Sequence, residues 1–243
     1  MLHTVRLAGA LTAALVLATP AAAMAASSPP HASRPAGSHG QQLALLIHSA
    51  QAFSSPNRGS RPVGTVSRSR PITGEQTALP VIAHASDVHH AAWLKVLLPG
   101  RPNGHTGWIS TRSTTPAVTR WQITVRLSTR EVIVLRDGRL ESRFKGVVGK
   151  PSTPTPLGRF FVEETVALSR NEVGAPYALA LSARSNVLQE FAGGPGQIAL
   201  HGTDNVGGVP GTAASHGCVR LATQAITWLG TRIGPGTPVT ITR

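Results

Sequence analysis

The sequence predicts a mainly β protein, with a small β-barrel followed by a larger β domain that carries a short helix. Three observations predict it. In the first half, short apolar segments are broken by Pro and Gly every eight to twelve residues, as in small barrels. In the second half, Asp137-Gly138 separates two strand-like runs, a two-residue hairpin signal. Helical spacing is confined to Leu221, Ala225, Ile226 and Leu229. With 243 residues, 41% hydrophobic and 14% charged, the chain is long enough to bury real cores, which excludes disorder over its whole length.

Residues 1–25 read as a secretory signal peptide. Arg6 precedes the apolar run Leu7 to Ala18, then Pro20 and the small residues Ala21-Ala22-Ala23 and Ala23-Met24-Ala25 offer cleavage points. The run is shorter than the roughly 20 apolar residues that span a bilayer, so no stable membrane insertion is expected after cleavage. Residues 26–40, which contain SSPPHASRPAGSHG, have no apolar period and read as a flexible spacer. Lys and Arg number 23 against ten Asp and Glu, giving +13, and all the cations except Lys95, Lys145 and Lys150 are Arg. Such a field favours anionic partners. In an exported protein the partner expected is an anionic cell wall rather than nucleic acid, with the chain secreted to the wall or periplasmic space.

Residues 41–112 carry the predicted barrel. Pro62 to Val66 and Trp93 to Leu97 are strand-like, and Pro99-Gly100-Arg101-Pro102-Asn103-Gly104 is a turn before Gly107-Trp108-Ile109. These segments resemble a bacterial SH3-type domain, and the resemblance implies a wall-targeting or spacing module. Trp93 and Trp108 fit either a core or a ligand-facing role. His89 and His90 would point to opposite faces of a strand, which argues against a shared metal. Thr111 to Val118 is rich in breakers, so residues 113–119 are expected to be a linker.

Residues 120–243 form the second predicted domain. Trp121, Ile123, Val125 and Leu127 alternate with polar residues, and Val132 to Arg136 and Arg139 to Phe144 flank the hairpin turn. Further strands are expected at Arg159–Val162, Tyr177–Leu181, Ile198–His201 and Val239–Thr242. The helix should follow Cys218 and end by Gly234-Pro235.

The chemistry-bearing stretch is Ile198 to Leu221, where His201 ends an apolar strand and Ser215-His216-Gly217-Cys218 follows. Cys218 is the lone cysteine, which excludes an intrachain disulfide and any zinc site built on two thiolates. An unperturbed thiol is only a few per cent ionised at neutral pH, and an imidazole within reach would take its proton. Gly217 removes bulk and would free the N–H groups of Gly217 and Cys218 for a developing oxyanion. On residues alone, three readings stand: a covalent nucleophile, an inert buried Cys, and a zinc site of His201, His216 and Cys218.

The second half resembles the catalytic domain of the L,D-transpeptidases. The residues that carry this are His201-Gly202-Thr203, Gly211, Ser215-His216-Gly217-Cys218-Val219-Arg220 and, upstream, Pro154-Thr155-Pro156-Leu157-Gly158-Arg159-Phe160. The resemblance implies a β-sandwich with one or more short helices, no cofactor and no metal. It implies Cys218 as nucleophile, His201 as base and then acid, and the Gly202 carbonyl as orienter of the imidazole. Ser215, His216 and Gly217 would shape the oxyanion region, and Arg220, which stands where many members have Asn, would hold a substrate carboxylate or a structural ion pair. The implied activity is 3→3 cross-linking of peptidoglycan stem peptides through a thioester. A hydrolase of stem peptides (an L,D-carboxypeptidase) and a non-catalytic wall-binding protein are the alternatives. No protein partner is implied. Asp204 to Gly211 and a mobile loop from Ala167 to Pro176 are expected to wall the acceptor cleft.

Overall fold

In the computed structural model, residues 40–191 and 193–243 are described. The expected signal peptide and all but the last residue of the expected spacer lie outside them. Among the described residues no helix is long and apolar enough to cross a membrane.

Seven strands make the first sheet: β1 (Gln41–Leu46), β2 (Ala50–Phe53), β3 (Pro62–Val66), β4 (Ala78–Ser86), β5 (Ala92–Leu97), β6 (Thr106–Ser110) and β7 (Thr114–Thr119). Their spatial order is β3-β2-β6-β5-β4-β1-β7, with every pair antiparallel. No ladder joins β3 to β7, so an open sheet stands where a closed small barrel was expected. Residues 113–119, expected as a linker, are mostly strand: β7 pairs with β1 from Gln41↔Thr119 to Leu46↔Thr114. Pro116 is accommodated because β7 is an edge strand, where a missing N–H need not break a ladder. Leu46, Leu79, Val96 and Ile109 fill the core of this sheet. Trp93 belongs to the interior, its ring edge-on to Phe53 and its Nε1–H donated to Asp87 at 3.1 Å.

The second half contains β8 (Trp121–Arg126), β9 (Glu131–Arg136), β10 (Arg139–Gly149), β11 (Gly158–Ala167), β12 (Tyr177–Arg184), β13 (Gln197–Gly202), β14 (Ala213–Ser215), β15 (Val219–Leu221), α1 (Thr223–Gly230) and β16 (Pro238–Thr242). Asp137 and Gly138, both at positive φ, make the predicted turn between β9 and β10. The order β10-β15-β13-β12-β11-β16-β8-β9 closes on itself, because β9 also pairs with β10. A closed eight-strand ring therefore replaces the expected sandwich. The cause is the length of β10 and β11, 11 and 10 residues, each of which pairs on both sides of the ring. Val162, Leu179, Leu181, Leu200 and Leu221 fill its interior with Ile226 and Leu229 of α1. Leu221 lies on β15 rather than on the helix, and α1 stops at Gly230, where an added Cβ would run into the Tyr177 ring.

The two sheets belong to one compact unit because β11 serves both. Adjacent strand residues face opposite ways: Phe160 enters the ring core and Phe161 enters the core of the first sheet. Glu163, wholly buried, pairs with Arg70 and, at 3.0 Å, with Arg184. Glu164 accepts N–H bonds from Ile72 and Thr73 at 3.3 and 3.0 Å and the Thr73 hydroxyl at 3.1 Å. Burial lowers the affinity of the Arg70 and Arg184 guanidinium groups for their protons, so both depend on their carboxylate partners.

Candidate active site

His201 and the Ser215–Cys218 turn, far apart in sequence, meet because β13 and β15 run parallel side by side, with His201 opposite Arg220. His201 Nδ1 lies 2.8 Å from the Gly202 carbonyl oxygen. A carbonyl can only accept, so Nδ1 carries the proton and Nε2 is left as the basic nitrogen. Gly202 in turn donates its N–H to the Gly174 carbonyl at 2.7 Å. A Cβ at Gly202 would collide with the Ala175 carbonyl, and one at Gly174, whose φ is +86°, with the His201 ring. These two glycines let the backbone close over the imidazole.

Ser215 ends β14, and its hydroxyl folds the next three residues into a tight turn, donating to the Cys218 carbonyl at 2.5 Å and accepting from Gly217 N–H at 3.1 Å. Gly217 sits at φ +124°, which its lack of a side chain permits. Its N–H, expected to serve a developing oxyanion, is donated to the Ser215 hydroxyl. Two threonines clamp the turn from below. Thr153 Oγ1 donates to the Ser215 carbonyl at 3.2 Å, and Thr155 Oγ1 donates to the Gly217 carbonyl at 2.8 Å while accepting from Gly149 N–H.

Cys218 Sγ accepts from Ala199 N–H at 3.4 Å and lies 3.9 Å from the Gln197 carbonyl. Among the described residues its hydrogen-bond contacts are thus to the β13 backbone rather than to the imidazole. Burial pushes the Cys218 thiol up from its ordinary value and pushes His201 down. Both shifts favour the neutral thiol and the neutral imidazole, because an enclosed site disfavours both charges. Alkylation by iodoacetamide should accordingly rise through a midpoint above about 8.5, the value of a free cysteine. A reactivity plateau already reached near pH 6 would show a thiolate–imidazolium pair instead.

Arg220 Nη1 donates to the carbonyls of Val206 and Gly207, each at 3.3 Å, and its Nε is buried without a partner. Among the described residues no carboxylate lies within ion-pair distance of it. The two expected cleft walls are tied together by Asn205, whose Nδ2 donates to the Arg170 and Glu172 carbonyls at 2.8 and 2.9 Å. His216 is exposed and stacked on Phe191, ring centres 5.7 Å apart. Among the described residues no three His, Cys, Asp or Glu side chains converge as metal ligands.

Compared with known proteins, residues 120–241 match the YkuD family, described as the L,D-transpeptidase catalytic domain. The chain belongs to this family. His201, Gly202 and the Ser215–Arg220 segment all fall within the matched stretch of this L,D-transpeptidase family enzyme. The YkuD protein of Bacillus subtilis (strain 168) is 26% identical over 150 residues, 61% of this chain and 74% of the relative. Among solved structures, an L,D-transpeptidase from Mycobacterium smegmatis is 16% identical, covering 68% of this chain and 99% of that one with a TM-score of 0.40. L,D-transpeptidase 3 from Mycobacterium tuberculosis is 14% identical, covering 82% and 93% with a TM-score of 0.44.

Sequence reasoning about this transpeptidase-family chain missed Thr153 and Phe191. Gly174 falls in the expected cleft-wall loop, but its contact with His201 spans 27 positions and only folding reveals it.

Proposed function

We propose that the protein is a cell-wall L,D-transpeptidase that joins peptidoglycan stem peptides by 3→3 cross-links. The observation that carries this is the imidazole fixed by the Gly202 carbonyl, with basic Nε2 free, on the strand beside β15, which Cys218 immediately precedes. In this reading Cys218 turns from the β13 backbone as substrate binds, and His201 Nε2 takes its proton as Sγ attacks the carbonyl of the third stem residue. The Cys218 N–H meets the oxyanion, since Gly217 N–H is engaged by Ser215. D-Ala leaves with the proton from His201, and a thioester remains. The side-chain amine of a second stem's diaminopimelate attacks the thioester, giving an amide and returning the thiol. One amide is exchanged for another, so no ATP is needed.

Arg220, short of a carboxylate partner and opposite His201, would bind a carboxylate of the stem peptide. Its positive charge also favours the thiolate as Cys218 ionises. The first sheet would serve as an SH3-like wall-targeting or spacing module, residues 41–112, with 120–243 the catalytic domain. The leader and the basic charge fit secretion to the wall.

The test is mass analysis of products formed by purified protein from defined tetrapeptide stems, across a range of acceptor amine. Cross-linked dimer should exceed free tripeptide, since an acceptor held in line with the acyl carbon outcompetes more abundant water. Free tripeptide alone at every acceptor concentration would make the protein an L,D-carboxypeptidase. No turnover, with tight wall binding, would make it a non-catalytic binder.

A further inference from the structure

The connection from β12 to β13, residues 185–196, borders the site, and much of what holds it comes from the first sheet. The loop closes its own neck, Ser185 N–H donating to the Gly196 carbonyl at 2.7 Å and the Ser185 hydroxyl accepting from Leu188 N–H at 3.0 Å. Into that neck reaches Arg101, from the turn between β5 and β6. Its Nη2 donates to the carbonyls of Ser185 and Leu188 at 2.8 and 3.1 Å, and its Nη1 to that of Pro195 at 2.9 Å. Asn103, two residues on, pairs with both backbone groups of Arg184, accepting its N–H at 2.8 Å and donating to its carbonyl at 2.7 Å. A guanidinium fork thus gathers three carbonyls that the loop itself leaves free.

What the loop presents is Phe191, half-exposed and stacked on His216 at 5.7 Å, two residues before Cys218. At its other end the loop runs into Gln197 and Ala199, the backbone groups that Cys218 Sγ touches. One connection therefore contacts the nucleophile's neighbourhood from two directions, and its position is set from outside the catalytic ring. Nothing in the ring alone replaces the three Arg101 bonds.

We propose that Arg101 and Asn103 are positioning residues for the active-site mouth, holding the 185–196 loop so that Phe191 and His216 form one wall of the substrate cleft beside Cys218. The first sheet is then part of the enzyme's working site as well as an attached module. The substrate half of this inference rests on the proposed stem-peptide activity, whereas the clamp itself does not.

Two measurements on the full chain separate them. Hydrogen exchange followed by mass spectrometry should show the Ser185, Leu188 and Phe191 amides exchanging about tenfold faster or more in Arg101→Ala, with Ile123 and Val134 unchanged. In acylation by a tetrapeptide donor, Arg101→Ala and Phe191→Ala should each lower kcat/KM about tenfold, mainly through KM, and the double variant should lose little more than either alone. Arg101→Lys should recover part of the loss, since an ammonium cannot span three carbonyls. Unchanged loop exchange in Arg101→Ala overturns the clamp, and multiplicative losses in the double variant overturn its link to Phe191. A wild-type protein that accepts no stem peptide defeats the proposed function, while the exchange result still decides the clamp.

Discussion

Cys218→Ala should abolish acyl-enzyme formation if the protein works as proposed, and His201→Ala should lower its rate by about 10²- to 10⁴-fold, the range that general acid–base groups contribute. The two losses differ because the first removes the atom that bonds to the substrate and the second removes only the carrier of its proton. In the proposed mechanism burial holds the thiol protonated, so loss of His201 would fall on the attack and on departure of D-Ala alike. The fold survives both changes. Cys218 Sγ makes only long contacts to the Ala199 and Gln197 backbone, and His201 faces the site from a strand end whose ladder is independent of its ring. Intact mass after incubation with a tetrapeptide reads acylation directly. A full-sized adduct on Cys218→Ala would place the nucleophile elsewhere, and loss of activity with EDTA, restored by zinc, would replace the covalent mechanism with a metal site.

Glu163→Ala destabilises the protein by about 3–5 kcal/mol, the cost of removing one partner from a buried ion pair. The carboxylate is wholly buried between Arg70 of the first sheet and Arg184 at the end of β12, and burial already disfavours the charge on both guanidinium groups. Without Glu163 they face each other with less compensation, Glu164 remaining as a carboxylate that favours the Arg70 charge. The thermal midpoint should fall by on the order of ten degrees in a chain this size. Because the network ties one sheet to the other, the variant should also lose cooperativity, giving two transitions where wild type gives one. A shift under two degrees would mean that the Glu163 pairs contribute little to joining the halves. Glu163→Gln keeps the volume and one acceptor, so its cost should be smaller.

Local rules made much of the architecture legible. Asp137-Gly138 specified its turn because few residues accept the two positive φ values that the hairpin needs. The strand at Pro62–Val66 has the expected limits, and those at Trp93–Leu97 and Ile198–His201 lie within a residue of them, since each is a short apolar run between breakers. Thr114–Thr119 was misread because an edge strand tolerates Pro116 and polar residues that a central strand rejects. Leu221 had helical spacing with Ala225, yet a short strand and a helix in succession can imitate one periodic segment.

The sequence by itself determined the mainly β class, the hairpin and the candidate pair Cys218 and His201, because each rests on residue chemistry or on neighbours along the chain, whereas the Gly202 carbonyl as candidate orienter came from the family resemblance. Only the tertiary structure decided ring over sandwich, the sharing of β11 between two cores, the burial that raises the Cys218 thiol and lowers His201, and the contacts of Gly174, Thr153, Thr155, Phe191 and Arg101 with the site. These depend on which distant backbones pack together and how much water they exclude. Burial is a property of that packing, and so are the proton affinities and close approaches that follow from it.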